Sequence, residues 1–181
     1  TEKQWGRPAI EIPSFIIKRI PLRFTFNNNY FDDPYQGIPV GGYNCLIDSL
    51  LEGTEVRINT DFLSDKEKYL QQGKLIVYTG EIDRYFDYCL GKLEYRSLRF
   101  EHELLKNEVN FQGNAVINYT EKEIPFTRIL EHKHFEFGQQ TDTVITREYP
   151  VSFEDGRDPY YPINDERNNQ LYLQYKKIAD K

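Results

Sequence analysis

From Tyr43 to Gly53 the apolar side chains recur at helical spacing. Tyr43, Leu46, Ile47, Leu50 and Leu51 form one face of an amphipathic helix that Gly53 closes. Before it, Pro8, Pro13 and Pro21 bracket Phe15-Ile16-Ile17, which predicts a short helix over about 13–19. Residues 25–42 are rich in Asn, Asp, Gly and Pro and predict a long loop of the kind that often carries function. After Gly53, alternation predicts a short strand over Glu55–Asn59, and the apolar run Leu75–Tyr78 reads as a buried strand. Helical turns are predicted over Lys66–Gln72, stopped by Gly73, and over Asp83–Leu90, stopped by Gly91.

The second half changes period. Tyr95–Leu104, Asn114–Tyr119, Thr127–Phe135 and Thr143–Tyr149 alternate, with β-branched or aromatic content. Four such segments at short spacing predict an antiparallel sheet. A last helix after Asn164 carries Leu171, Tyr175 and Ile178 on one face. Helices followed by strands predict an α+β fold, with short N-terminal helices and a mainly antiparallel sheet. The expected organisation is a helical segment with a mobile loop over 1–52, a sheet domain over 53–163 and a C-terminal helix over 164–181.

Composition narrows the function classes. Of the 181 residues, 39% are hydrophobic and 29% charged, a globular balance with no apolar run near the roughly 18 residues that span a bilayer. A net charge of −6 argues against a nucleic-acid partner. The opening residues lack the basic-then-apolar order of a signal peptide, so a cytoplasmic location is expected. With Thr1 in first place, the chain is expected to be part of a longer protein. Cys45 and Cys89 have no metal-ligand spacing and read as reduced packing thiols.

Candidate chemistry sits mainly on the predicted strands. If Thr127–Phe135 is a strand, Arg128, Leu130, His132 and His134 share a face. An arginine on a half-buried strand needs an anion, either an acidic side chain or a ligand. Arg96 and Arg99 fall on opposite faces of their strand, under the same requirement. His132 and His134 lack a third ligand at recognisable spacing, so they read as packed in or on the sheet, with no metal site. Neither G-x-G-x-x-G nor a phosphate-cradling G-x-x-x-x-G-K occurs, so no Rossmann fingerprint is present.

Longer strings say more. They include Thr1-Glu2-Lys3-Gln4-Trp5-Gly6-Arg7, Phe15-Ile16-Ile17-Lys18-Arg19-Ile20-Pro21, Asn28-Asn29-Tyr30-Phe31 and Tyr35-Gln36-Gly37-Ile38-Pro39-Val40-Gly41-Gly42-Tyr43. Further along come Leu93-Glu94-Tyr95-Arg96-Ser97-Leu98, Gln112-Gly113-Asn114-Ala115-Val116-Ile117-Asn118, Thr127-Arg128-Ile129, Glu131-His132-Lys133-His134-Phe135 and Tyr160-Tyr161-Pro162. Together, in this order and from end to end, they resemble the UDP-galactopyranose mutases. The resemblance implies a sheet domain like that of flavin-linked oxidoreductases and mutases. It also implies interconversion of UDP-galactopyranose and UDP-galactofuranose with reduced FAD, whose N5 attacks the anomeric carbon as UDP leaves.

By matching position, Arg19 and Arg128 are expected at the substrate diphosphate, with Tyr30 and Tyr161 donating hydroxyls to it. Trp5 would line the sugar and nucleotide cleft, Asn118 would bond substrate near Arg128, and Arg96 would sit where flavin and substrate meet. The turn with Pro39, Gly41 and Gly42 would approach the flavin. Homodimer formation is left open. The family's dinucleotide-binding region and its final flavin-contacting segment have no counterpart in these residues. This chain by itself is therefore expected to lack tight FAD binding and activity. A contrasting reading is a stand-alone nucleotide-sugar-binding module without catalysis.

Overall fold

The computed structural model describes residues 2–18, 24–26, 33–154 and 156–180. The chain is α+β and divides into two compact units. The first takes residues up to Gln36 together with Leu93–Asn169, and the second takes Gly37–Lys92 and Gln170–Lys181.

The first unit is built on an antiparallel sheet in the order β2-β3-β4-β1-β5. Its strands are β1 (Tyr95–Leu105), β2 (Val116–Asn118), β3 (Arg128–Glu131), β4 (Thr143–Ser152) and β5 (Tyr161–Pro162). Long β1 and β4 form its spine, pairing from Arg96↔Ser152 to Leu105↔Thr143. Val144, Ile145, Thr146, Tyr149 and Val151 give β4 its strand preference. Pro150 is tolerated in this central strand because β3 pairs with β4 only as far as Glu148, so no ladder bond is lost on that side. Two short helices, α1 (Glu2–Trp5) and α2 (Ser14–Lys18), precede the sheet, and α1 lies against β4.

The buried centre of this unit is small and largely polar. Ile129 and Ile145 are enclosed, as are Glu131, Thr143, Thr146, Glu148 and Lys133. Glu131 is fully buried and accepts from the backbone N–H groups of Phe111 and Gln112 and from Thr143 Oγ1. Lys133 donates to the carbonyls of Val109 and Gln140. Buried polar groups persist when partnered, and these two charges fasten the loops at the far end of the sheet.

The second unit holds α3 (Tyr43–Leu50), α4 (Lys66–Gln72), α5 (Ile82–Tyr85) and the later turns of α6 (Glu166–Ala179). Aromatic rings organise it: Phe62, Tyr69, Tyr78, Tyr85 and Phe86 stack or tilt against one another. Lys66 Nζ lies 3.7 Å over the Tyr85 ring and donates to the Tyr85 carbonyl. Buried Tyr175 donates its hydroxyl to Gly91 O and accepts from Leu90 N.

Several expectations need correction. Glu55–Asn59 and Leu75–Tyr78 form no strand; Leu75 is 83% and Val77 78% exposed. Alternation alone cannot supply a neighbour to pair with, and an unpaired strand has no ladder to hold it. The third predicted strand stops at Glu131, and His132–Phe135 is a 3-10 helix; His132 still reaches Thr146, which pairs with Leu130 on the face of Arg128, whereas His134 turns to Glu131 and leaves that face. The helix expected over Asp83–Leu90 is the single turn Ile82–Tyr85 followed by further turns. Cys45 and Cys89 are both exposed, not packed. No described helix is long and apolar enough to cross a membrane.

Candidate functional site

Directly opposed residues of antiparallel strands share a face of the sheet. One row across the sheet reads Asn118, Arg128, Glu148 and Phe100, from β2 to β1. A second reads Ser152, Arg96 and Tyr161, from β4 through β1 to β5. Arg96 and Phe100 are four residues apart on β1, so the two rows lie on one face. Asn118, Arg128, Arg96 and Tyr161, chosen from sequence, are thus brought to a single surface. The arginine positions stand about 13 Å apart along the strands and about 10 Å across them.

The two guanidiniums are held differently. Arg128 Nε is 3.2 Å from Glu148 Oε1, close enough for an ion pair yet not aligned as a hydrogen bond. Glu148 is itself buried, and its Oε1 accepts from Thr127 Oγ1 at 2.9 Å. This contact engages only the Nε edge of Arg128; its two Nη groups make no hydrogen bond among the described residues. Arg96 donates from Nη1 to Ser152 Oγ at 3.2 Å, its Nε is buried without a hydrogen-bond partner, and no ion pair reaches it among the described residues. Burial alone pushes its basicity below the ordinary arginine value. Arg99, on the other face, is paired with Glu101.

Helix α1 brings a further wall. Trp5 tilts against Tyr161, ring centroids 6.3 Å apart. Gly6 ends the helix at φ +67°, its N–H donating to Glu2 O at 2.7 Å. A Cβ added there would stand 3.0 to 3.3 Å from the guanidinium atoms of Arg96. Only glycine combines that backbone conformation with so close an approach. Trp5, Gly6, Arg96 and Tyr161 therefore form one corner of the face, and Asn118, Arg128 and Glu148 the other. Arg19 and Tyr30 lie outside the described residues.

Near the second corner, His102 Nδ1 and His132 Nε2 both approach Thr146 Oγ1, at 2.8 and 2.6 Å. Burial first, and then the neighbouring His102, lower the His132 pKa. His134 turns instead to Glu131, 3.0 Å away. Among the described residues no three His, Cys, Asp or Glu side chains gather as a metal site would require.

The glycine turn belongs to the second unit. Gly41 and Gly42 have φ of +81° and +88°, and Gly42 N donates to Pro39 O at 3.0 Å just before α3 begins. A Cβ at Gly42 would meet nothing, and one at Gly41 only Cys45 Sγ. The backbone there is uncrowded.

The family model for UDP-galactopyranose mutase matches residues 1–181. This chain belongs to the UDP-galactopyranose mutase family. A Klebsiella pneumoniae protein named "Probable UDP-galactopyranose mutase" is 34% identical over 184 residues, covering 99% of this chain and 46% of that protein. The dTDP-fucopyranose mutase of Escherichia coli is 32% identical, over 98% of this chain and 48% of its own length. The UDP-galactopyranose mutase of Mycoplasma pneumoniae is 31% identical with the same coverage. The chain spans about half the length of the curated relatives it matches.

In this mutase-family chain two neighbours of the predicted site were not singled out by sequence reasoning. Gly6 and Glu148 complete the two corners of the face without belonging to the residues expected there. Glycine commonly ends a helix in the left-handed conformation, but no helix over 2–5 is predicted from the sequence, so Gly6 carried no signal of its own. For Glu148 nothing short of the strand register would have paired it with Arg128.

Proposed function

We propose that this chain carries the nucleotide-sugar-binding part of an enzyme that interconverts UDP-galactopyranose and UDP-galactofuranose. The observation that carries the reading is the pair of guanidiniums on one sheet face, each with donors uncommitted to protein acceptors among the described residues. Ring contraction requires UDP to leave the anomeric carbon as an anion and to return. Planar, permanently charged guanidiniums match phosphate oxygens and stabilise that charge.

In this reading Arg128 binds the diphosphate through its Nη edge while Glu148 holds its Nε side. Arg19 meets the same diphosphate, and Tyr30 and Tyr161 donate hydroxyls to it. Trp5 offers an aromatic face to the sugar or base, and Asn118 bonds polar substrate groups beside Arg128. Arg96 faces the junction of substrate and flavin.

The bare backbone at Gly41 and Gly42 fits an approach to a flavin ring, with Pro39 fixing the turn. Reduced FAD, when bound, supplies the nucleophile toward the anomeric carbon. The chain's own residues orient the sugar, hold the departing diphosphate and keep it in place for return. FAD affinity and turnover are assigned to a protein of the relatives' full length.

One relative is named for dTDP-fucopyranose, at nearly the same identity as those named for UDP-galactopyranose. Both substrates carry a nucleoside diphosphate, so the arginines are assigned to that shared group. The test is calorimetric titration of UDP and dTDP into the full-length protein, with and without Arg128→Ala. Loss of a charge-assisted contact is expected to weaken UDP binding about 10- to 100-fold. Unchanged affinity would sink the diphosphate assignment. Tighter binding of dTDP than of UDP would move the substrate to the thymidine series.

A further inference from the structure

Helix α1 is four residues long, far too short to be stable alone. Two cations fasten it. Arg7 reaches Asp165 at 2.5 Å and Glu94 at 3.4 Å. On the other side, Lys3 Nζ sits among four backbone carbonyls of the loop joining β2 to β3: Tyr119 at 2.6 Å, Phe126 at 2.7 Å, Ile124 at 3.0 Å and Glu121 at 3.1 Å. An ammonium has three N–H donors, so four carbonyls saturate it. Lys3 therefore has nothing left to offer a ligand.

The placement of the carbonyls matters more than their number. Tyr119 directly follows Asn118, the last residue of β2. Phe126 stands two residues before Arg128, the first of β3. The Tyr119 and Phe126 rings meet edge-on at 4.9 Å, and Tyr119 N donates to Thr127 O, so the loop is drawn closed around the ammonium. Two residues beyond Lys3 stands Trp5, against Tyr161. A solvent-open cleft of about 540 Å³ runs along this seam, lined by Lys3, Gly6, Arg7 and Thr120 among others.

We propose that Lys3 is a positioning residue: its carbonyl cage fixes the separation of Trp5 on α1 from Asn118 and Arg128 on the β2–β3 hairpin. This deepens the reading under Proposed function and rests on it for the identity of the ligand. Arginine does not substitute, because a planar fork cannot sit at the centre of a cage shaped for a compact charge. A bare potassium ion can, since rings of backbone carbonyls replace its hydration shell.

The test uses this 181-residue chain, in which Trp5 is the single tryptophan. Lys3→Met and Lys3→Arg are compared with wild type by hydrogen exchange, Trp5 emission and UDP titration. In both variants the amides of 119–127 are expected to exchange at least tenfold faster while those of β1 and β4 keep their protection. Trp5 emission is expected to shift, and UDP affinity to fall about tenfold. Potassium at 0.1 M or above restores part of both in Lys3→Met, whereas sodium does not. Unchanged exchange of 119–127 and unchanged Trp5 emission in the two variants overturn the cage. Faster exchange with unaltered UDP affinity overturns the positioning role. If wild type does not bind UDP, the reading under Proposed function fails, and exchange together with Trp5 emission decides the cage alone. Should Lys3→Met lose the protection of β1 and β4, Lys3→Arg with the same readouts gives the decision.

Discussion

Gly6 shows how much one residue can carry. Its φ of +67° and the guanidinium 3.0 Å from a would-be Cβ are two separate demands for glycine. Gly6→Ala should cost about 1–2 kcal/mol, read as a lowered midpoint in chemical denaturation. His132 gives a residue-scale prediction in pH. Burial and His102 lower its pKa, so the unfolded chain takes up a proton before the folded one does. Stability should therefore fall as pH drops through the ordinary histidine value of about 6.5, and level off below the depressed folded value. His132→Gln should flatten that part of the pH profile. An unchanged slope would assign it to other groups.

At the scale of elements, the end of β3 depends on a carboxylate. Glu131 is enclosed, and burial by itself, the largest influence, would raise its pKa. The N–H groups of Gln112 and Phe111, with Thr143 and His134, together outweigh burial and hold it below the usual carboxylate range. A depressed carboxylate contributes stability above its unfolded pKa and loses it as pH falls through the folded value. Glu131→Ala would leave two backbone donors and a hydroxyl buried without an acceptor. It should cost on the order of 3 kcal/mol, and the variant's stability should depend less on pH in the acid range than wild type's. Thermal melts of both proteins from pH 3 to 7 check both statements. The same element explains why alternation misled beyond Glu131. His132, Lys133 and His134 are polar in succession before Phe135, and Gly138 N and Glu136 N both donate to Lys133 O and wind the chain into a turn.

At the scale of the molecule, the two units differ in how their extended segments are satisfied. In the first, β1 and β4 pair over ten residues. In the second, Leu75–Thr79 and Glu55–Asn59 are extended in sequence pattern but unpaired, and Leu75, Val77, Val56 and Ile58 face solvent. Hydrogen exchange should therefore show 75–79 unprotected while β1 and β4 exchange orders of magnitude more slowly. Comparable protection in the two would mean that the second unit finds a partner for its strand.

Local pattern sufficed for the elements whose stabilising contacts lie near in sequence. Helix Lys66–Gln72 ends at Gly73 as its sequence required, and Tyr95 onward reads as a strand in both pattern and structure. The literal strings also determined the family, because many short matches in one order are specific even when each is weak. What only the tertiary structure decided was pairing. It gave Glu148 to Arg128, left Arg96 without a counter-ion among the described residues, set Gly6 against it and closed four carbonyls around Lys3. The physical reason is distance along the chain. A side chain's own spacing fixes which way it points, but its partner, over a hundred residues away for Lys3, is chosen by strand register and loop closure.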